Sequence, residues 1–331
     1  MRNLLSFIWI FFLLLPAYSQ EAGTLRLIFA GDIMGHDSQI ASALAQGNGT
    51  YDYSSYFVNL QPWLSRSDIT IGNLEVTLAG PPFKGYPAFS SPDALAGELK
   101  KSGFDILVNA NNHAIDRRKK GLERTLLVLD SLGLVQTGVF KDALDRWERH
   151  PLIVEKNGIR LAILNYTYGT NGITVTPPNI VNYIDTITVR KDLEKARLAE
   201  PDFIIAMMHW GLEYQLQENK QQQELAEFLF DHGTDMIIGS HPHVVQPIKL
   251  YPNNKLVVFS TGNMISNQRK RYSDGGILVE VVLEKTDSTR LKDYAYLPVW
   301  VYKPENENGT TFSLMPANAD SLQYRVSGLS N

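Results

Sequence analysis

The sequence predicts an α/β layered fold, and two observations carry that prediction. Apolar runs of strand length alternate with segments of helical periodicity along the chain. Five of those runs empty into polar stretches bearing Asp32, Asn73 with Glu75, Asn112 with His113, His209, and His241 with His243. In open α/β sheets functional groups collect where strands end, so the same pattern predicts one shared site.

The elements follow in order. Arg2, the apolar stretch Leu4 to Leu15 and the small residues around Ala17-Tyr18-Ser19 read as a signal peptide over residues 1–19. It implies export to the periplasm or cell envelope; an uncleaved membrane anchor is the competing reading, although the run is short for a span. Leu25 to Ala30 is the first strand and ends at Gly31-Asp32, with His36 close behind. A helix and then a loop are expected up to Tyr56, with a turn at Asn48-Gly49. Asp68 to Ile71 is a second strand running into Gly72-Asn73-Leu74-Glu75, and Pro81, Pro82, Gly85 and Pro87 mark a surface loop. Ser91-Pro92-Asp93 reads as a capped helix start and Gly103 as its end.

Phe104 to Val108 is the third strand, leading to Asn111-Asn112-His113 and Asp116. Leu122, Leu126, Leu129 and Leu132 recur at helical spacing and form a core stripe. Gly158 to Leu164 is a strand, Val189 to Glu200 a charged helix, and Phe203 to Met208 a strand delivering His209-Trp210-Gly211-Leu212-Glu213. Asn219 to His232 is an amphipathic helix. Met236 to Ile238 is a strand that stops before His241-Pro242-His243, and residues i and i+2 of an extended segment point the same way, so both imidazoles can address one point. Leu256 to Phe259 is a strand ending near Asn263, and Ile277 to Leu283 is a further β segment. Residues 24–285 are expected to form one domain and residues 286–331 its C-terminal strand or extension, with Glu305 to Thr311 the least ordered-looking piece.

Composition is that of a globular protein, with 331 residues, 44% hydrophobic and 20% charged. A net charge of -4 gives no footing for nucleic acid, and the short basic runs Arg117-Arg118-Lys119-Lys120 and Arg269-Lys270-Arg271 read as solvated surface. Cysteine is absent, which excludes disulfides and thiolate chemistry. Any metal must therefore be held by His, Asp, Glu and Asn. The five polar clusters supply that mixture, which suits one or two divalent ions such as Mn, Fe or Zn. No Gly-x-Ser-x-Gly turn, Walker-type loop or Gly-x-Gly-x-x-Gly stretch supplies a competing chemistry. Tyr166, Tyr168, Trp210 and Tyr214 fall beside the strand ends, where they either line a cleft or pack the core.

Taken together, Gly31-Asp32, Gly72-Asn73-Leu74-Glu75, Asn111-Asn112-His113-Ala114-Ile115-Asp116, His209-Trp210-Gly211, Gly239-Ser240-His241-Pro242-His243 and Thr261-Gly262-Asn263 resemble the ordered motif set of the CapA-type bacterial capsule-synthesis proteins, relatives of the calcineurin-like metallophosphoesterases. The resemblance implies a four-layer αββα sandwich with a metal site at one edge. It implies metal ligation by Asp32, Asn112, His209, His241 and His243, and a proton-donating His113. It also implies a hydrolase or transferase acting on an anionic polymer such as poly-γ-glutamate, or on a phosphoester; the alternative is a non-catalytic polymer-binding or scaffold partner of a membrane synthase. Met34 stands where the phosphoesterase motif has His, leaving His36 as a substitute, and Asn73 stands where it has a bridging Asp, so Glu75 is expected to take the acidic role. Asp116, Glu213 and Asn263 are candidates for supporting positions around the ligands.

Overall fold

The computed structural model describes residues 23–306, 309–317 and 324–325. Its centre is the strand Gly23–Ile33, which has the parallel strand Ile69–Leu74 on one side and the antiparallel strand Gly275–Lys285 on the other. Ile106–Val108 and Val135–Thr137 extend the sheet on the parallel side, Thr289–Tyr302 and Ser313–Pro316 on the antiparallel side. Asn263–Ile265 also pairs with the first strand. A six-stranded second sheet runs in spatial order Ile248–Tyr251, Lys255–Val258, Met236–Ser240, Phe203–His209, Ile159–Thr167 and Leu152–Lys156.

Alternation along the strands explains the layering. Leu25, Leu27 and Phe29 of the first sheet share the inter-sheet core with Leu161, Ile163, Ile205, Met207 and Ile238 of the second. The opposite face of the first sheet, with Ile28 and Ala30, packs on Tyr56, Phe57, Leu95, Leu99 and Leu129 from helical segments. On the far side, Ala162, Leu164, Ala206 and Met208 pack on Val189 and Leu193 of the helix Thr186–Leu198 and on Ala226 and Leu229 of the helix Lys220–Asp231. The result is the four-layer αββα sandwich. Each large apolar side chain buried in these layers contributes about 1.5–3 kcal/mol.

Several boundaries differ from expectation for identifiable reasons. The helix Asp93–Lys101 has Pro92 at its N-cap position and no side-chain cap, so Ser91 does not cap it. The helix Lys220–Asp231 is capped reciprocally by Asn219 and Gln222. Thr289–Tyr302 is a strand of 14 residues, longer than any run visible in the sequence, because Asp293 and Pro298 interrupt its alternation. The segment read as a signal peptide lies outside the described residues, and among the described residues no helix is long and apolar enough to cross a membrane.

Candidate metal centre

Parallel pairing brings the strand ends to one edge. In the first sheet Asp32 is in register with both Asn73 and Asn263; in the second, His209 is in register with Ser240. Register shifts on both sides of Asp32 mark irregular pairing there, a feature that re-aims a side chain. His241 and His243 do converge, with ring centroids 6.0 Å apart, but not through extended backbone. Both residues lie in left-handed conformations, at φ 97° and 57°, so the expected strand-like alternation is replaced by strained turns.

The side chains form one buried network. Asp32 and Glu75 are each 0% exposed. Asn73 donates from Nδ2 to Asp32 Oδ1 at 2.8 Å and to Glu75 Oε2 at 3.4 Å. His243 Nδ1 lies 3.1 Å from Asp32 Oδ2 and 3.1 Å from Asn263 Oδ1. His209 Nε2 is 2.7 Å from Asn112 Oδ1, and its Nδ1 is 2.9 Å from Ser240 Oγ. Glu75 Oε1 sits 3.7 Å from His209 Nε2 and 3.8 Å from His243 Nε2.

Two groups of potential ligands overlap here, Glu75 with His241 and His243, and Asp32 with Glu75 and His209, each with its donor atoms within 4.8 Å of one another. Glu75 Oε1 and His241 Nδ1 are buried without a hydrogen-bond partner. Orphaned buried polar atoms are costly, and a divalent cation would satisfy these two. The residues present therefore fit such an ion.

Electrostatics point the same way. Burial, followed by the charge of Asp32, pushes the Glu75 carboxyl well above its ordinary range. Burial, followed by the neighbouring imidazoles, pulls His209 well below its ordinary value, and burial and His243 bring His241 down to about 3. Those two rings are neutral at physiological pH, the form that ligates metal.

Other candidates have different surroundings. His36 precedes the helix Asp37–Gln46, receives the Asn267 backbone N–H at Nδ1 (3.2 Å) and packs on Phe89; it is in neither donor group. Asp116 Oδ2 lies 2.7 Å from His113 Nδ1 and accepts the Phe89 N–H at 2.8 Å. Glu213 is exposed, and its charge bears on Glu75, Tyr168 and Tyr214 rather than on His209 or His241. Asn111 and Ser240 had no assigned role in the sequence. Asn111 donates to Asn73 Oδ1 (3.1 Å) and to the Leu74 carbonyl (2.8 Å), fixing which way the Asn73 amide points. Their only signal was membership of the Asn-Asn-His and Gly-Ser-His stretches. Tyr168, 47% exposed, lies 4.5 Å from the His241 ring, and Tyr214 lies 6.0 Å from that of His243, so both border the site. Tyr166 and Trp210 are instead core residues.

A buried His, carboxylate and Asn donor set at the strand ends of an αββα sandwich defines a layered α/β protein with an edge site suited to divalent metal. The family model described as bacterial capsule synthesis protein PGA_cap matches residues 26–268, and the chain belongs to that family. It is 26% identical over 308 residues to capsule biosynthesis protein CapA of Bacillus anthracis, covering 88% of this chain and 71% of that one. It is 28% identical over 293 residues to PGA biosynthesis protein CapA of Bacillus subtilis (strain 168), covering 83% and 71%. Among solved structures, the NAD nucleotidase of Haemophilus influenzae has a TM-score of 0.54 at 14% identity, covering 91% of this chain and 61% of that one, a likeness of fold.

Proposed function

We propose that the chain is an exported, metal-dependent hydrolase or transferase of the cell envelope that acts on poly-γ-glutamate or a similar capsule polymer during its synthesis, release or anchoring. Membership of the PGA_cap family and the names of the Bacillus relatives support the polymer. The observation that carries the chemistry is Glu75, shared by two donor groups and holding an unpartnered buried oxygen.

In this reading Asp32, Glu75, Asn112, His209, His241 and His243 hold one or two ions. A bound divalent ion would polarise the scissile bond and make water more acidic. The chain's own residues do the rest. Ser240 Oγ engages Nδ1 of His209, which turns its Nε2 toward Asn112 Oδ1 and so brings two of the proposed donor atoms together. Asp116 engages His113 Nδ1, which leaves Nε2 to carry a proton to the leaving group. Tyr168 and Tyr214, whose phenols burial pushes up to about 12, stay protonated as donors at the rim.

The test is metal content by elemental mass spectrometry on protein purified without chelator, beside a His241→Ala/His243→Ala variant, followed by γ-glutamyl and phosphoester turnover assays. The expected result is one or two equivalents of Mn, Fe or Zn, lost in the variant, and turnover that requires them. Absence of metal from the wild type after reloading would overturn the catalytic reading and favour a polymer-holding partner of a membrane synthase.

A further inference from the structure

The basic run Arg269-Lys270-Arg271 is exposed, as expected of solvated surface, but its position gives it a second property. It is carried on the segment between Asn263 and the strand Gly275–Lys285, and a chain of contacts ties that segment to the metal centre. Asn263 Oδ1 lies 3.1 Å from His243 Nδ1, while Asn263 Nδ2 donates to Gln268 Oε1 at 3.0 Å. Gln268 Nε2 reaches the Tyr214 hydroxyl at 3.4 Å, and Lys270 Nζ stands 3.7 Å from the centre of the Tyr214 ring. That ring is 6.0 Å from the ring of His243. Two aromatic contacts therefore separate the Lys270 ammonium from a candidate metal ligand.

The cations of this strip have no carboxylate partner among the described residues. None of the three forms an ion pair there, whereas Lys249 and Lys285 each do. The acids facing the strip are Asp274, whose charge acts on Arg269, and the exposed Glu213 beside Tyr214. Arg271 lies over Tyr272 at 4.7 Å, and Lys303 Nζ braces the segment through Asn267 Oδ1 at 2.8 Å. Unpaired cations on a braced segment raise the local concentration of anions at the mouth of the site.

From this geometry we infer that Arg269, Lys270 and Arg271 are specificity residues, which grip repeating anionic groups of a chain-like substrate beside the bond presented to the metal centre. The inference rests on the proposed hydrolytic site and names the substrate features that site selects. Carboxylates and phosphates share the required chemistry. The strip acts on binding, so its removal raises KM and leaves kcat unchanged.

The experiment compares wild type with an Arg269→Ala/Lys270→Ala/Arg271→Ala variant and a charge-keeping Arg269→Lys/Arg271→Lys variant. Affinity for a fluorescent γ-linked glutamate oligomer and for polyphosphate of matched charge is measured across salt concentrations, with metal content read on the same samples. The expected result is wild-type binding to one of the two probes, weakened about tenfold or more in the alanine variant, with a shallower salt slope. Metal content stays unchanged and the lysine variant binds. The probe that binds identifies the anion. Equal affinity of wild type and alanine variant, or no wild-type binding to either probe, overturns the inference whatever the metal content. Strip-dependent binding by a protein that holds no metal would instead overturn the hydrolytic reading and leave the strip standing.

Discussion

Asn73 donates a hydrogen bond from Nδ2 to Asp32 Oδ1 at 2.8 Å, so a neutral amide lies against a fully buried carboxylate. The amide relieves the repulsion that a second acid would create beside Asp32 and Glu75, and it lowers the negative charge offered to a cation. Asn73→Asp is expected to tighten divalent metal binding by about tenfold or more, since an added charge at short range in a buried site is worth over a kilocalorie per mole. The same change should cost the metal-free protein about 1–3 kcal/mol, because a donor to Asp32 is replaced by a like charge. Titration calorimetry and thermal melts with and without chelator measure the two effects. Weaker metal binding in Asn73→Asp would show that the amide itself is needed as built.

Glu75 is expected to set the pH dependence of metal binding. Its carboxyl is held well above the ordinary range by burial and by Asp32, so the metal-free form favours the neutral acid. Cation binding needs the carboxylate and so releases that proton. His209 and His241 are shifted downward and have no proton to lose in the same window. Affinity should therefore rise with pH while pH stays below the raised folded-state value of Glu75, then level off above it. Without metal the sign is opposite: the raised value favours the folded state at low pH, and that contribution is lost as pH rises through it. Calorimetry in two buffers of different ionisation enthalpy counts the released proton, and Glu75→Gln should abolish the difference. Heats independent of buffer in the wild type would contradict this assignment.

Much of the architecture was legible in the sequence because the apolar runs are uninterrupted up to their polar ends. Phe203 to Met208 and Met236 to Ile238 are buried on both faces, so continuous hydrophobicity marked them. Thr289–Tyr302 was obscured because Asp293 and Pro298 break the alternation while pairing to the neighbouring strand holds it extended. Asp32, Glu75, Asn112 and the three histidines could be picked out as candidate ligands because each follows an apolar run of strand length. How His241 and His243 converge could not, because their positive φ depends on tertiary context. The Asn111 bond to Asn73 and the seat of Lys270 on Tyr214 join residues far apart in the chain, which local pattern cannot reveal.

His113 and Asp116 should separate proton transfer from metal binding. Asp116 fixes the His113 ring by a 2.7 Å contact at Nδ1 and at the same time holds the Phe89 backbone N–H. His113→Ala is expected to lower kcat by about 10²–10⁴ while metal content stays intact. Asp116→Asn keeps the side-chain volume but loses the carboxylate, so a smaller loss with an altered pH–rate profile is expected. Unchanged turnover in His113→Ala would remove this residue from the chemistry.

Gly239 tests how closely the site depends on the packing beneath it. A Cβ there would lie 2.0 Å from the Phe259 carbonyl oxygen and 2.5 Å from Trp210 Nε1, the two atoms that hydrogen-bond each other at 2.9 Å. Trp210 is buried and Gly239 lies within the paired strand Met236–Ser240, so neither side can yield without moving its sheet. Gly239→Ala is expected to cost about 1–3 kcal/mol and lower the melting temperature by a few degrees. Because Ser240 contacts His209 and His241 follows directly, metal affinity should fall with stability. Gly97→Ala is the control: its Cβ meets nothing within 4 Å on the helix Asp93–Lys101, so the change should be neutral or stabilise by about 0.5–1 kcal/mol. Thermal melts and metal content on both variants decide the matter. Loss of stability in Gly239→Ala with wild-type metal affinity would mean that the ligand turn is held from the loop side, through the Asp32 contact to the His241 backbone N–H, rather than from the strand.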